Sequence, residues 1–132
     1  MSICMFPPRV KPQYVLVVED DASLRDLYRS ALGAAGFPVV AVEDGLQALQ
    51  RIEATIPSAV VLDLDVPRVG GRDVYRELKA SPTTEHIPII VVTGKDASDL
   101  NADQFACIFR KPIGADELIV AIRRCLRKSA LR

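Results

Sequence analysis

The sequence predicts an α/β protein built on a doubly wound parallel sheet, and two observations predict it. Five short, apolar, largely β-branched runs recur from residue 14 onward, and most of the segments between them carry helical spacing. Those segments are too long for hairpins, so the strands must join through right-handed βαβ crossovers, which give a parallel sheet covered on both faces. A third observation concerns chemistry: several of the runs end on carboxylate, hydroxyl or ammonium side chains. A chain of 132 residues suits one domain, burying roughly two thirds of its unfolded surface.

The expected strands are 14–18, 38–42, 59–63, 88–92 and 107–110, each almost wholly apolar, as strands buried on both faces should be. Before the first lies an arm, residues 1–13, with Pro7, Pro8 and Pro12 and only the short apolar run Ile3 to Phe6. That run is too short for a signal peptide core or a membrane span, so a poorly ordered arm is expected. The first helix places Leu24, Leu27, Tyr28, Ala31, Leu32 and Ala35 on one face, with Asp21 as its N-cap. Gly33 and Gly36 weaken its last turn and Pro38 prevents its continuation. A second helix, about Leu46 to Ala54, presents Leu49, Ile52 and Ile56. A third, about Arg72 to Ala80, turns Val74, Tyr75 and Leu78 inward and stops at Ser81-Pro82.

Residues 94–106 offer only Leu100 and Phe105 as large apolar anchors, and three Asp and one Asn lower helix propensity. A fourth helix there should be short or irregular. The last helix, about Ala115 to Arg127, buries Leu118, Ile119, Ile122, Cys125 and Leu126, and residues 129–132 form a C-terminal tail. Arg123, Arg124, Arg127 and Lys128 complement the negative end of that helix. His86, beside Glu85 and before a strand, reads as a solvated loop residue.

Seventeen basic and seventeen acidic side chains cancel. Such a chain has no strong field to attract nucleic acid or a membrane surface, and neither is an expected partner. Cys4, Cys107 and Cys125 are odd in number, scattered and without metal-ligand spacing. Cys107, beside or within a strand, and Cys125, on an apolar helix face, read as small buried hydrophobes, and the cytoplasm is the expected compartment.

In doubly wound sheets, ligands sit beyond the carboxyl ends of the strands. Glu19, Asp20, Asp63, Thr93 and Lys111 all fall on that edge. Two carboxylates about 4 Å apart repel by roughly 4 kcal/mol at an effective dielectric near 20, so something must hold them together. Mg²⁺ fits, because it takes hard oxygen ligands and keeps part of its water shell. The hydroxyl and the ammonium can hold the remaining oxygens of a phosphoryl group.

Val17-Val18-Glu19-Asp20-Asp21, Leu62-Asp63-Leu64-Asp65-Val66-Pro67-Arg68-Val69-Gly70-Gly71, Val91-Val92-Thr93-Gly94 and Lys111-Pro112 resemble, in order, the motifs of the receiver domain of two-component response regulators. The resemblance covers residues 14–128 and implies a flavodoxin-like (βα)5 fold with sheet order 2-1-3-4-5. It implies that Asp63 is the phosphoacceptor, taking a phosphoryl group from a histidine kinase or phosphotransfer protein and signalling to a downstream protein effector. Asp20 and Asp63 would ligate Mg²⁺ directly, with the Asp65 backbone carbonyl as third protein ligand and Glu19 acting through water. Thr93 would hydrogen-bond one phosphoryl oxygen and Lys111 would pair with another, and the Lys111-Pro112 bond would be cis. Such a module is not an enzyme beyond its own phosphoryl transfer and dephosphorylation.

Two features depart from the family's pattern. Ile108 stands where receivers usually carry an aromatic residue, with Phe109 beside it, and the stretch from Thr93 to Lys111 is short by about one helical turn. Asp65 and Lys95 each lie two residues beyond a site residue, and an ion pair between them across the mouth of the site is expected. The alternatives are a degenerate receiver that binds a partner without phosphorylation, and a Mg²⁺-dependent phosphohydrolase or Toprim-type enzyme. Asp63-Leu64-Asp65 resembles the acid pair of haloacid-dehalogenase-like phosphatases, and Glu19 with Asp63 and Asp65 resembles the Toprim pattern, but neither family explains Lys111-Pro112.

Overall fold

A computed structural model describes residues 14–94 and 105–130. The strands are β1 (Val15–Val18), β2 (Val39–Val42), β3 (Ala59–Leu62), β4 (Ile89–Thr93) and β5 (Cys107–Arg110). The helices are α1 (Ala22–Ala34), α2 (Gly45–Ala54), α3 (Gly71–Lys79) and α4 (Ala115–Ala130). All pairings are parallel and the sheet order is β2-β1-β3-β4-β5, as the resemblance implied. Every boundary lies within three residues of its expected place. The arm 1–13, the short helix expected within 94–106 for the most part, the end of the C-terminal tail and the Asp65–Lys95 pair fall outside the described residues.

Strand alternation divides the core into two layers. Leu16, Val18, Val60, Leu62, Ile89 and Val91 point to the side of α2 and α3, with Ala48, Ile52, Val74 and Leu78 packed on them. Val15, Val17, Val61, Ile90 and Val92 point to the other side, where Tyr28, Leu32, Leu118 and Ile122 of α1 and α4 cover them. Cys125 is buried in this second layer, and burial pushes its thiol pKa up. His86 is exposed. Among the described residues no helix is long and apolar enough to cross a membrane.

Local signals set the helix ends. Asp21 caps α1 by accepting the Leu24 N–H at 3.0 Å. Gly36 ends it at φ 96°, a conformation that glycine adopts without Cβ strain, while the Phe37 N–H returns to the Leu32 carbonyl. Two expected core residues are instead exposed, Leu27 at 49% and Ile56 at 40%. In α1 the stripe facing the sheet runs through Leu24, Tyr28 and Leu32, and Leu27 sits about 100° around the helix from Tyr28. Ile56 follows the extended C-cap Thr55 and so leaves the helical phase that Leu49 and Ile52 share.

Candidate functional site

The carboxyl ends of β1, β3, β4 and β5 converge because the ladders run in register. Val18 pairs with Leu62, Leu62 with Val91, and Thr93 with Arg110, so the residues after them share one edge. The Asp63 N–H donates to the Val18 carbonyl at 3.0 Å, and the Glu19 N–H donates to Val42 at 3.1 Å. The Lys111 N–H continues the ladder to the Thr93 carbonyl at 2.9 Å. The Lys111-Pro112 peptide that follows is cis.

Carboxylate oxygens of Glu19, Asp20 and Asp63 lie within 4.8 Å of one another. Glu19 and Asp63 are buried, at 2% and 3% exposure, whereas Asp20 faces solvent and leaves the cluster open on one side. Three hard oxygens in this arrangement suit Mg²⁺ with water completing its shell. The Lys111 ammonium reaches in from β5 and holds two of the acids, at 2.7 Å from Glu19 Oε1 and 3.0 Å from Asp63 Oδ2. The other oxygens are also held: Asp63 Oδ1 accepts the Asp65 N–H at 3.0 Å, and Glu19 Oε2 accepts the Asp21 N–H at 3.1 Å.

Burial pushes the Glu19 carboxyl above the ordinary range, outweighing the hydrogen bonds from Lys111 and the Asp21 N–H that pull it down. Burial pulls Lys111 the other way, but its hydrogen bonds and charge contacts with Glu19 and Asp63 win and hold it above the ordinary lysine value. Burial, and then the charge of Glu19, push the phenol of Tyr28 up beneath the site.

The site residues expected from the sequence are thus gathered at one edge. Thr93 is buried, and its hydroxyl donates to Asp65 Oδ2 over a long 3.5 Å. Ile108 faces the α2/α3 layer, while Phe109 faces the α1/α4 layer. Adjacent strand residues point to opposite faces, so Phe109 cannot stand in for an aromatic at 108. Phe105 does reach the α2/α3 layer, with its ring 4.7 Å from that of Tyr75.

Other residues around the site were not anticipated. Arg25 donates from α1 to the carbonyls of Glu19 and Asp20, at 3.0 and 3.4 Å. Asp44 and Gly45 meet the loop after Asp63 at Arg68 and Val69. The Asp44-Gly45 pair could be read from sequence only as a helix cap; its contact with that loop has no local signal.

A family model described as the response regulator receiver domain matches residues 15–123. The response regulator MprA of Mycobacterium sp. (strain KMS) is 35% identical over 126 residues, covering 90% of this chain and 53% of that relative. MprA of Mycolicibacterium vanbaalenii is 35% identical over 125 residues, covering 89% and 52%. The chain spans about half the length of these relatives. Among solved structures, a response regulator receiver domain protein from Clostridium thermocellum superposes with TM-score 0.80 at 25% identity, covering 90% of this chain and 98% of that one. The receiver domain of a sensor histidine kinase from Pseudomonas aeruginosa, described with a magnesium ion coordinated in its active site cleft, gives TM-score 0.78 at 27% identity, covering 86% and 97%. A match that runs from the first strand into the last helix leaves one assignment: the chain belongs to the response regulator receiver domain family of two-component signalling.

Proposed function

We propose that Asp63 is the phosphoacceptor of this receiver. The observation that carries the reading is its carboxylate, buried and held between the Lys111 ammonium and the Asp65 N–H, with oxygens of Glu19 and Asp20 within 4.8 Å. A carboxylate in that setting is oriented, desolvated and surrounded by groups able to handle charge.

Phosphoryl transfer forms a bond from a carboxylate oxygen of Asp63 to phosphorus and breaks the phosphorus–nitrogen bond of the donor phosphohistidine, whose electron pair stays on the imidazole nitrogen. Asp20 and Asp63, with the Asp65 carbonyl as third protein ligand and Glu19 through water, would hold Mg²⁺. The bound cation supplies charge neutralisation for the acids and the incoming phosphoryl oxygens. Lys111 then moves its ammonium from the carboxylates to a phosphoryl oxygen. Thr93 turns its hydroxyl from Asp65 to another. The donor is a histidine kinase or phosphotransfer protein, the output is contact with a protein effector, and the compartment is the cytoplasm.

The test uses acetyl phosphate and Mg²⁺ with the intact chain, followed by mass spectrometry. The expected result is a gain of one phosphoryl group that Asp63→Asn abolishes and EDTA prevents. No gain in the wild-type chain, or an undiminished gain in Asp63→Asn, overturns the reading, and the first outcome turns it toward a phosphorylation-independent binding module.

A further inference from the structure

On the proposed function the Asp65 carbonyl is a metal ligand, and it has to be placed by its loop, because a backbone atom has no rotamer of its own to adjust. That loop runs from Asp63 to the start of α3, where Gly70 offers no side-chain cap. Its near end is set by a close approach: a Cβ on Gly71 would lie 2.6 Å from both the Asp63 carbonyl oxygen and the Leu64 Cα. Its far end rests on a different element, the N-terminus of α2.

Three contacts make that support. The Gly45 N–H donates to the Pro67 carbonyl at 3.3 Å. The Val69 carbonyl packs onto Gly45 so closely that a Cβ there would sit 1.7 Å from the Val69 oxygen and 2.6 Å from its carbon. The Asp44 carboxylate is buried at 2% exposure and caps α2 through the Gln47 N–H at 2.8 Å, and its other oxygen lies 3.7 Å from the Arg68 guanidinium. Arg68 itself is held at φ 72°, a left-handed conformation that a non-glycine residue adopts only when its surroundings impose it.

We propose that the Asp44-Gly45 turn of α2 is a positioning device for the phosphoacceptor loop, fixing the Asp65 carbonyl for the metal through Pro67, Arg68 and Val69. The inference rests on the proposed role of Asp63 and extends it to residues that touch neither metal nor phosphoryl group. A methyl group at position 45 meets backbone, not a flexible side chain, so the loop has to retreat by about 2 Å to reach ordinary contact distance. Losing an outer-shell support of a metal ligand costs about 10- to 100-fold in metal affinity.

The experiment measures phosphorylation by acetyl phosphate against Mg²⁺ concentration in wild type, Gly45→Ala and the control Gly33→Ala, with the folded fraction of each read by circular dichroism. Gly33 has open space where its Cβ would go, so that control should keep the wild-type Mg²⁺ dependence. Gly45→Ala should raise the Mg²⁺ concentration for half-maximal phosphorylation by about 10- to 100-fold per folded molecule. A merely structural role would lower the folded fraction and leave that midpoint in place, which overturns the proposal. Where Gly45→Ala does not fold, Arg68→Ala decides: the side chain is 61% exposed, so the fold should survive. The midpoint should then rise about two- to fivefold, and an unchanged midpoint overturns the proposal. Absence of phosphorylation in wild type refutes the role of Asp63 instead, and direct Mg²⁺ titration by NMR still reads the positioning effect in the same variants.

Discussion

Lys111→Met removes the ammonium while keeping most of the aliphatic stem, and the geometry sets the size of the effect. The lysine makes charge-assisted contacts of 2.7 Å and 3.0 Å with two carboxylates whose side chains are 2% and 4% exposed. Removing one partner from a buried ionic cluster costs about 3–5 kcal/mol. The lysine is itself 20% exposed, so water reaches part of the gap and the lower end applies: about 3 kcal/mol. The loss should also depend on pH. The folded-state pKa of Glu19 already lies above its ordinary value, and losing the lysine lifts it further. A raised carboxyl contributes stability that is present below its unfolded pKa and lost as pH rises through the folded one. The penalty for Lys111→Met should therefore be smaller at about pH 5 than at about pH 8, because falling pH favours the protonated form of the raised Glu19 carboxyl. Urea unfolding followed by circular dichroism, in EDTA at both pH values, measures it. Adding Mg²⁺ at pH 8 should then stabilise the variant more than wild type, because in wild type the ammonium occupies oxygens that the cation needs. A variant within about 0.5 kcal/mol of wild type in EDTA at pH 8, or an equal penalty at both pH values, would refute the reasoning.

Four further outcomes follow from the same contacts. In EDTA, wild type should gain stability relative to Glu19→Gln as pH falls through the raised pKa of Glu19 toward the ordinary carboxylate value, since the folded state then binds more protons than the unfolded one; urea unfolding across that window reads it. Asp21→Ala should lose the α1 cap, about 1 kcal/mol by thermal or urea unfolding, yet keep its Mg²⁺ dependence, because it is the backbone N–H of Asp21 that meets Glu19. Leu32→Ala should cost about 2–5 kcal/mol, whereas Leu27→Ala, at 49% exposure, should stay within about 0.5 kcal/mol of wild type. Asp65→Asn removes an exposed charge next to the Thr93 hydroxyl and should raise the steady-state level of phosphorylated protein by up to about fivefold, read by mass spectrometry.

The fold was legible because its signals are local and periodic. Val15 to Val18 and Val60 to Leu62 are wholly apolar in sequence and buried on both faces in the sheet. Parallel registry then carries Glu19, Asp63, Thr93 and Lys111 to one edge without any further information. Leu27 was misplaced because a helical pattern defines a wide apolar arc, and only the packed sheet decides which stripe of it faces inward. The hold of Lys111 on Glu19 and Asp63 was not legible, since it depends on how far a side chain reaches across three strands. Gly45 was harder still. Its requirement for glycine comes from a loop far along the chain, and nothing in its neighbourhood encodes that loop's approach.

The charge count of the site fixes the order in which events can occur there. Three carboxylates and one ammonium carry a net formal charge of two negative units, and a single divalent cation brings that to zero. On the proposed chemistry, turning the Asp63 carboxylate into an acyl phosphate adds negative charge again, which the ammonium must follow. Lys111 can leave Glu19 and Asp63 for the phosphoryl oxygens only when something else neutralises those acids, because two buried carboxylates left with no counter-charge cost several kcal/mol. On the proposed chemistry the cation therefore has to arrive first. Lys111 would then serve the resting chain as a placeholder for the cation, and the contact that offsets the acidic charge is the same one that phosphorylation would have to break.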